Sequence, residues 1–244
     1  MRFSALLFAC QFLLWPAYLS AQRVGFEPVD PEKVKPWRSF AKEAYAGVYH
    51  FGAGDLASEL LLFVDGRHVC GQLRQDETVL QDGQSVLRRR YRNLGKEEIR
   101  RYAFSAQELQ GQFVYFETPT GQPAQGLRVD NSWSNVADAE EYEIGPLVLT
   151  APPWEDYLPG DYPQASSQWL SRAELAPYTS ATLRLMQREI EARYGQRFPE
   201  DGEWQRHFTQ QDWYQPQHED VSRYLTDFEQ HNQQVIEEEL KARE

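Results

Sequence analysis

The chain has 244 residues, a net charge of −12 and an isoelectric point near 5.0. An acidic surplus of this size argues against nucleic acid or an anionic membrane surface as the main partner. Hydrophobic residues make up 41% and aromatic residues 14%, so the composition allows packed cores, and the length is enough for two modest domains.

Residues 1–21 have the pattern of a secretory signal peptide. Met1 and Arg2 give a short basic start, and the apolar stretch 5–14 is too short to span a bilayer as a stable anchor. The small residues Ser20 and Ala21 predict cleavage before Gln22, with an uncleaved anchor as the alternative. We therefore expect a secreted or periplasmic protein, with no integral membrane span after cleavage. Cleavage would leave Cys70 as a single thiol, which we expect to be a buried small hydrophobic residue.

Residues 22–150 are typical of an antiparallel β-domain preceded by a short helix. We expect that helix to begin at Pro36 and to place Trp37 and Phe40 on one side. The predicted strands are 47–51, 59–64, 67–73, 86–91, 102–104, 112–116, 126–129 and 141–144. Asp65 and Gly66 predict a tight hairpin between two of them. Short strands at this spacing indicate a small barrel or sandwich, either hollow or filled with side chains.

Residues 151–164 are rich in proline and predict a stiff connector to a helical module at 165–244. The main helix of that module is predicted after Thr179, a good capping residue, and ends at Gly195. Leu183, Met186 and Ile190 recur at spacings of three and four and share one face. The expected fold class is α+β, with an antiparallel β barrel or sandwich followed by a small all-α module.

Three polar residues fall within apolar stripes of the module. At about 100° per residue, Glu189 and Arg193 lie inside the apolar arc of the main helix, and Asn232 lies inside the stripe of the last helix. A buried polar group needs a partner. We therefore predict a structural polar hub in which Arg193 bridges Glu189 and carbonyl groups of the loop around Trp213. Its alternative is a binding site in which Arg193 holds an anionic group.

Two further sets of residues are candidate binding sites. Trp213 and Tyr214 are predicted to lie in an aromatic loop that stacks on a glycan or peptide, although such residues also fill small cores. Arg88, Arg89 and Arg90 stand out as a basic run in an acidic chain and are suited to hold an anionic polymer. The alternative for this run is a solvated sheet face balanced by neighbouring acids.

The sequence indicates no catalytic residues, no metal site and no cofactor. None of the histidines has the close spacing of a zinc site, and no cysteine pair is present once the leader is removed. No serine-elbow or phosphate-binding glycine pattern occurs. A pair of carboxylates for glycan hydrolysis stays open as an alternative, since the acids allow many pairs in space.

The helical module resembles the YARHG domain, a family of exported bacterial proteins. The matching residues include the stretches 183–186, 189–190, 192–193 and 229–236, together with Gly195, Phe198, Trp213 and Tyr214. Glu191 and Tyr194 replace the tyrosine and histidine of the naming motif. Arg188 replaces the asparagine that usually precedes the Glu-Ile pair in this family. The resemblance implies export, but it carries over no reaction and no catalytic residue.

These observations predict a non-enzymatic binding or assembly protein of the bacterial cell envelope, in contact with a wall polymer or a partner protein. One alternative is an enzyme acting on cell-wall glycan or peptide. Another is a small-ligand-binding β-barrel that the helical module stabilises.

Overall fold

The computed structural model describes residues 22–25, 27–81, 83–107, 109–130, 142–150, 154 and 156–244. The predicted signal peptide at 1–21 lies outside these residues, as does the proline-rich start of the connector at 151–153. In chain order the strands are β1 (Gln22–Val24), β2 (Glu27–Val29), β3 (Lys35–Pro36), β4 (Gly47–Phe51), β5 (Ser58–Asp65), β6 (His68–Gln81), β7 (Gln84–Asn93), β8 (Glu98–Arg100), β9 (Ala103–Ser105), β10 (Gln110–Glu117), β11 (Pro123–Val129) and β12 (Tyr142–Thr150). The helices are α1 (Gln164–Ser167), α2 (Arg172–Leu175), α3 (Ser180–Arg193), α4 (Glu203–Phe208) and α5 (Asp227–Lys241).

The described strands form one open sheet in the order β7-β6-β5-β4-β12-β11-β10-β9-β8. Neighbours in this order are antiparallel. Outside the order, β1 runs parallel to the first two residues of β12. A large antiparallel sheet followed by helices confirms the predicted α+β fold class. The β12–β4 pairing joins two meanders, so strands that are distant in sequence meet at the centre of the sheet.

Both halves of the sheet contribute to one core, and aromatic side chains fill it. Tyr45 and Phe113 are fully buried and stack with ring centroids 4.0 Å apart. The hydroxyl of Tyr45 donates to the Trp37 carbonyl at 3.0 Å, and that of Tyr49 donates to the Tyr45 carbonyl at 2.6 Å. These rings and their bonds occupy the interior, which favours the side-chain-filled interpretation of the β-domain over a hollow one.

The segment before β4 differs from the predicted helix. Pro36 pairs with Val114 of β10 as part of a two-residue strand, and the Trp37 amide donates to the Phe113 carbonyl at 2.9 Å. Trp37 is buried as expected, but Phe40 is fully exposed. Between Pro36 and β4, helical geometry is limited to one 3-10 turn at Lys42–Tyr45. Hydrogen bonding to the sheet therefore outweighs the weak helical pattern of this segment.

The predicted hairpin after β5 is present, with a register shifted by one residue. Asp65 pairs with His68, so Gly66 and Arg67 form the turn, and Gly66 takes a φ of 55°. The next hairpin is much longer than its apolar pattern indicates, because β6 and β7 stay paired from Gln72–Asn93 out to Gln81–Gln84. Polar residues occupy consecutive positions at 74–78 and 88–90, so these strands lack the apolar alternation by which a strand is recognised in sequence.

The helical module covers one face of the β4–β6 region. Alternate residues of these strands point outward, and Leu61, Phe63 and Cys70 pack against Leu158 and Phe228. Trp154, in the described part of the connector, lies with its ring 4.7 Å from that of Phe63. The sheet is thus buried on both faces here, and the module is fixed against it by apolar contacts. The division of the chain into two domains at 151–164 stays a prediction.

Cys70 reports whether the module stays on the sheet. Its side chain is 2% exposed, and burial raises the pKa of its thiol, so the nucleophilic thiolate is suppressed in the folded state. We expect a maleimide reagent to leave Cys70 unmodified in native protein and to label it in denaturant, as followed by mass spectrometry of the Cys70 peptide. Rapid labelling under native conditions would contradict the described packing.

Candidate functional site

Glu189 and Arg193 form a buried ion pair on α3, with each side chain 3% exposed. Glu189 also accepts hydrogen bonds from the amides of Asp161 at 2.8 Å and Tyr162 at 2.7 Å. Arg193 donates from Nε to the Pro159 carbonyl at 2.8 Å and from Nη1 to Ser166 Oγ at 2.9 Å. The pair therefore satisfies its own polar atoms while it holds the chain between Pro159 and Ser166.

Asn232 on α5 holds the next part of the same segment. Its Oδ1 accepts from the Leu170 amide at 2.9 Å, and its Nδ2 donates to the carbonyls of Ala165 at 2.8 Å and Gln168 at 2.7 Å. The side chain is fully buried. A single amide thus replaces the regular backbone bonds that the end of α1 lacks.

The predicted pairing of Arg193 with Glu189 is present, but the other partners of these residues differ from the expected ones. Arg193 binds Pro159 within the connector and Ser166 just after it, rather than carbonyls around Trp213. Gly160 explains why this segment comes so close: its φ is 115°, and a Cβ there would collide with the Glu189 carboxylate. Sequence spacing placed the polar side chains in the interface, but it did not reveal which backbone they would meet.

The aromatic residues of the module mainly form a small core of their own. Tyr214 is buried beside Phe198 and Phe208, and its hydroxyl donates to the Gln196 carbonyl at 2.6 Å. Trp204 and Trp213 are half-buried at the rim of this cluster. Of the predicted stacking residues, Trp213 also lines a cavity of about 310 Å³ that Arg89 and Tyr91 of β7 share.

A buried polar chain joins the sheet to the module. Gln72 of β6 is fully buried and donates to the Tyr194 hydroxyl at 2.9 Å and to the Tyr224 carbonyl at 3.0 Å. The Tyr194 hydroxyl donates in turn to Glu229 at 2.7 Å, and burial, followed by Glu229, holds the pKa of this tyrosine well above its usual range. Tyr194 therefore acts as a neutral donor, at the position that corresponds to the histidine of the YARHG naming motif.

The arginine run lies on β7, an end strand of the sheet, where alternation divides it between two faces. Arg89 forms a two-pronged pair with Asp76, with bonds of 2.8 and 3.0 Å. Arg90 pairs with Glu77 at 2.8 Å. Arg88 belongs to no ion pair among the described residues. The run is therefore partly a balanced sheet face, as the alternative interpretation held, and partly a surplus of positive charge.

The surplus charge faces a cavity of about 610 Å³ between β7 and the module. We call this cavity the arginine groove and define it by Arg88, Arg90 and Arg92 of β7 and by His218, Arg223 and Tyr224 of the module. The guanidinium carbon of Arg223 lies 4.6 Å from the centroid of the Tyr224 ring. Like Arg88, Arg223 has no ion-pair partner in the described part of the chain.

His218 reports the electrostatic character of the groove. Partial burial lowers its pKa, and the charges of Arg88, Arg223 and Arg197 lower it further. Two of these arginines come from the module and one comes from the sheet. Positive charge from separate parts of the fold thus converges on one imidazole, the arrangement expected where an anionic ligand binds.

Sequence reasoning singled out Arg88, Arg89 and Arg90 but missed the groove's other wall. His218, Arg223 and Tyr224 are distant from β7 in sequence, and each lies in a short polar loop without a motif. The isolated positive charge of Arg223, close to Glu219 and Asp220 in sequence, was the available signal. Only the docking of the module on β6 brings them opposite the arginines of β7.

The fold and site define an α+β protein in which a helical module covers an antiparallel sheet and forms a basic groove with its end strand. Residues 160–239 match the family model of the YARHG domain, which confirms the predicted resemblance of the C-terminal third of this chain. YARHG domains occur in extracellular or periplasmic proteins. Comparison with curated proteins and with solved structures gives no match. No helix within the described residues has the length and apolar character needed to cross a membrane.

Replacing Arg193 by alanine tests the structural role of the hub. The change leaves Glu189 buried without its counter-charge and frees the Pro159 carbonyl, so we expect a loss of about 3–5 kcal/mol of stability. The melting temperature should fall by at least about 6 °C, as measured by calorimetry.

Arg188→Ala is the matched control on the same helix. Arg188 is 44% exposed and pairs with Glu191, so its removal should cost about 0–1 kcal/mol. Equal melting temperatures for the two variants would refute the structural role of Arg193.

Proposed function

We propose that this protein is an exported, non-enzymatic binding protein of the bacterial envelope that holds an anionic wall polymer in the arginine groove. The single observation that carries the proposal is the convergence of Arg88 and Arg223 on His218. Neither guanidinium has an acidic partner among the described residues, although the chain as a whole is strongly acidic. A local surplus of positive charge on an otherwise acidic protein attracts an anionic ligand to that place.

The chemistry of the groove suits phosphate or carboxylate groups on a polymer. Guanidinium groups bind phosphate and carboxylate groups through paired hydrogen bonds. Two guanidinium groups in one groove can bind successive charges of a polymer. The ring of Tyr224 in the groove and the half-buried ring of Trp213 beyond it offer flat apolar surfaces to sugar units. Beside the groove lies a further cavity of about 490 Å³, which shares Arg88 and adds Arg197. A chain-like ligand has room to extend along β7.

The occurrence of YARHG domains in extracellular or periplasmic proteins and the signal-like residues 1–21 support the envelope as the location. The module itself supports binding rather than catalysis in this proposal, because its buried polar groups are engaged in holding the fold. The side chains of Glu189, Arg193, Glu229 and Asn232 all bond to neighbouring chain segments. The groove contributes charge and shape, and these are sufficient for binding.

Removing the two unpaired charges tests the proposal directly. We expect the Arg88→Gln/Arg223→Gln variant to bind polygalacturonate, a soluble polyanion, at least about tenfold more weakly than the wild type at low salt. The same variant should no longer co-sediment with purified cell wall that keeps its anionic polymers. Calorimetry and sedimentation measure the two effects, with neutral dextran as the negative ligand.

A control variant separates the groove from overall charge. Arg100→Gln/Arg172→Gln removes the same charge from exposed residues that pair with Glu98 and Glu239 outside the groove. It should bind like the wild type. An equal loss in both double variants, or no binding by the folded wild type, would overturn the proposed function.

His218 gives a second, spectroscopic test. Its pKa in the free protein should lie below the value of about 6.5 of an unperturbed histidine, because burial and three arginines disfavour its charged form. The folded state thus favours neutral His218 more than the unfolded state does. The free energy of unfolding therefore decreases as the pH falls through the lowered pKa, because the folded protein must then protonate His218.

A bound polyanion neutralises the arginines and should raise the pKa of His218. Binding then takes up a proton, so affinity should increase as the pH is lowered through this range. NMR titration of the His218 ring proton with and without polygalacturonate measures the change. A pKa that is unchanged by saturating polyanion would place the ligand elsewhere.

A further inference from the structure

Another cavity, of about 630 Å³, lies beside the long β6–β7 hairpin. It is bounded by β4, by the 3-10 turn Gly54–Leu56 and by the start of β5 on one side, and by the hairpin on the other. The residues that matter for its chemistry are His50, Asp55, Glu59, Arg74 and Leu87. A volume of this order suits a small organic ligand.

Strand register brings opposite charges side by side at this cavity. His50 of β4 lies opposite Glu59 of β5, and Glu59 lies opposite Arg74 of β6. Directly opposed side chains start only about 5 Å apart, so a Glu59–Arg74 ion pair would be easy to form. The described residues nevertheless contain no such pair.

Arg74 is turned toward the connector instead. Its Nη1 donates to the Tyr157 carbonyl at 2.6 Å and its Nε donates to Gln72 at 3.1 Å. Arg74 is 7% exposed, so a nearly buried cation has neutral partners and no acid within ion-pair distance in the described part of the chain. A guanidinium has five donors, and these two bonds leave capacity for an anionic group from the cavity. Burial of an uncompensated charge makes such a partner valuable.

Negative charge remains on the strand and turn next to Arg74 in the same cavity. Asp76 and Glu77 are neutralised by Arg89 and Arg90. Glu59 and Asp55 accept no hydrogen bond and form no ion pair with the described residues. After the internal pairs are set aside, two carboxylates and one guanidinium are left outside any ion pair of the described residues. Arg89 is bonded to Asp76, and the charge of Glu59 adds to the rise in the pKa of Arg89 that this bond causes. Apolar contact is available from Leu87 and Ala57.

We infer that this cavity is a binding site for a small zwitterion of dipeptide size. The ligand's ammonium group binds Glu59 and Asp55, and its carboxylate binds Arg74. Separated charges of opposite sign in the wall match a ligand that carries both signs, and a ligand with one sign leaves the other wall charge unpaired. The apolar walls accommodate small side chains between the two ends.

This site borders the arginine groove and shares Glu77, Arg89 and Arg90 with it, but the residues proposed to bind its ligand are different. Arg88 and Arg223, which carry the proposed function, do not line it, and Glu59 and Asp55 do not line the groove. The Arg88→Gln/Arg223→Gln variant should therefore bind a dipeptide as well as the wild type does. Failure of one proposal leaves the other unaffected.

The experiment measures binding of L-alanyl-L-alanine to the full chain by NMR, with the ring resonances of His50 as the local reporter. Two matched ligands each lack one charge: the N-acetylated dipeptide and the dipeptide amide. Glu59→Gln keeps the size of a half-buried side chain that forms no ion pair among the described residues, and Glu98→Gln is an exposed control on β8.

We expect the dipeptide to shift the His50 resonances at millimolar concentration, with affinity at least about tenfold weaker for each blocked ligand and for Glu59→Gln. Glu98→Gln should bind like the wild type. Absence of dipeptide binding, equal binding of either blocked ligand, or full affinity in Glu59→Gln would each overturn the inference.

Discussion

The structure depends on the requirement that buried polar groups find partners, and Gln72 shows it most clearly. This side chain sits fully buried on the outer face of β6, where strand alternation would otherwise place an apolar residue. Its amide donates to the Tyr194 hydroxyl and to the Tyr224 carbonyl. Both bonds form in one docked position of the module, and any other position would leave the buried amide without these two partners. Apolar contacts around Phe63 and Phe228 supply area, while Gln72 selects the register.

The arginine groove and the cavity beside the β6–β7 hairpin both follow from that docked position. The loop containing His218 and Arg223 comes to lie along β7 because the chain after Tyr194 is held at Tyr224. On the other side, the connector carbonyl of Tyr157 draws Arg74 away from Glu59 and leaves both charges facing a cavity. Structural bonds thus create unpaired charge at two places, and unpaired charge at a cavity is what a ligand recognises.

Several features could be predicted because they depend on local pattern. The helix over Ser180–Arg193, its cap at Thr179 and its end near Gly195 follow from capping and apolar spacing, which act within a few residues. The polar positions Glu189 and Asn232 were visible as breaks in apolar stripes. Their partners in the 159–170 segment were not, since nothing in a helical period says which distant backbone will meet it.

The sequence by itself determined the acidic charge, the order of sheet and helices, the resemblance of its last third to YARHG, and the arginine-rich strand. Tertiary structure decided which of those arginines are neutralised. Arg89 pairs with Asp76 across one hairpin. Arg88 instead faces Arg223 and His218, which are more than 100 residues away in sequence. Local pattern sets charge and periodicity, but electrostatic balance depends on neighbours in space, and long-range docking alone fixes those neighbours.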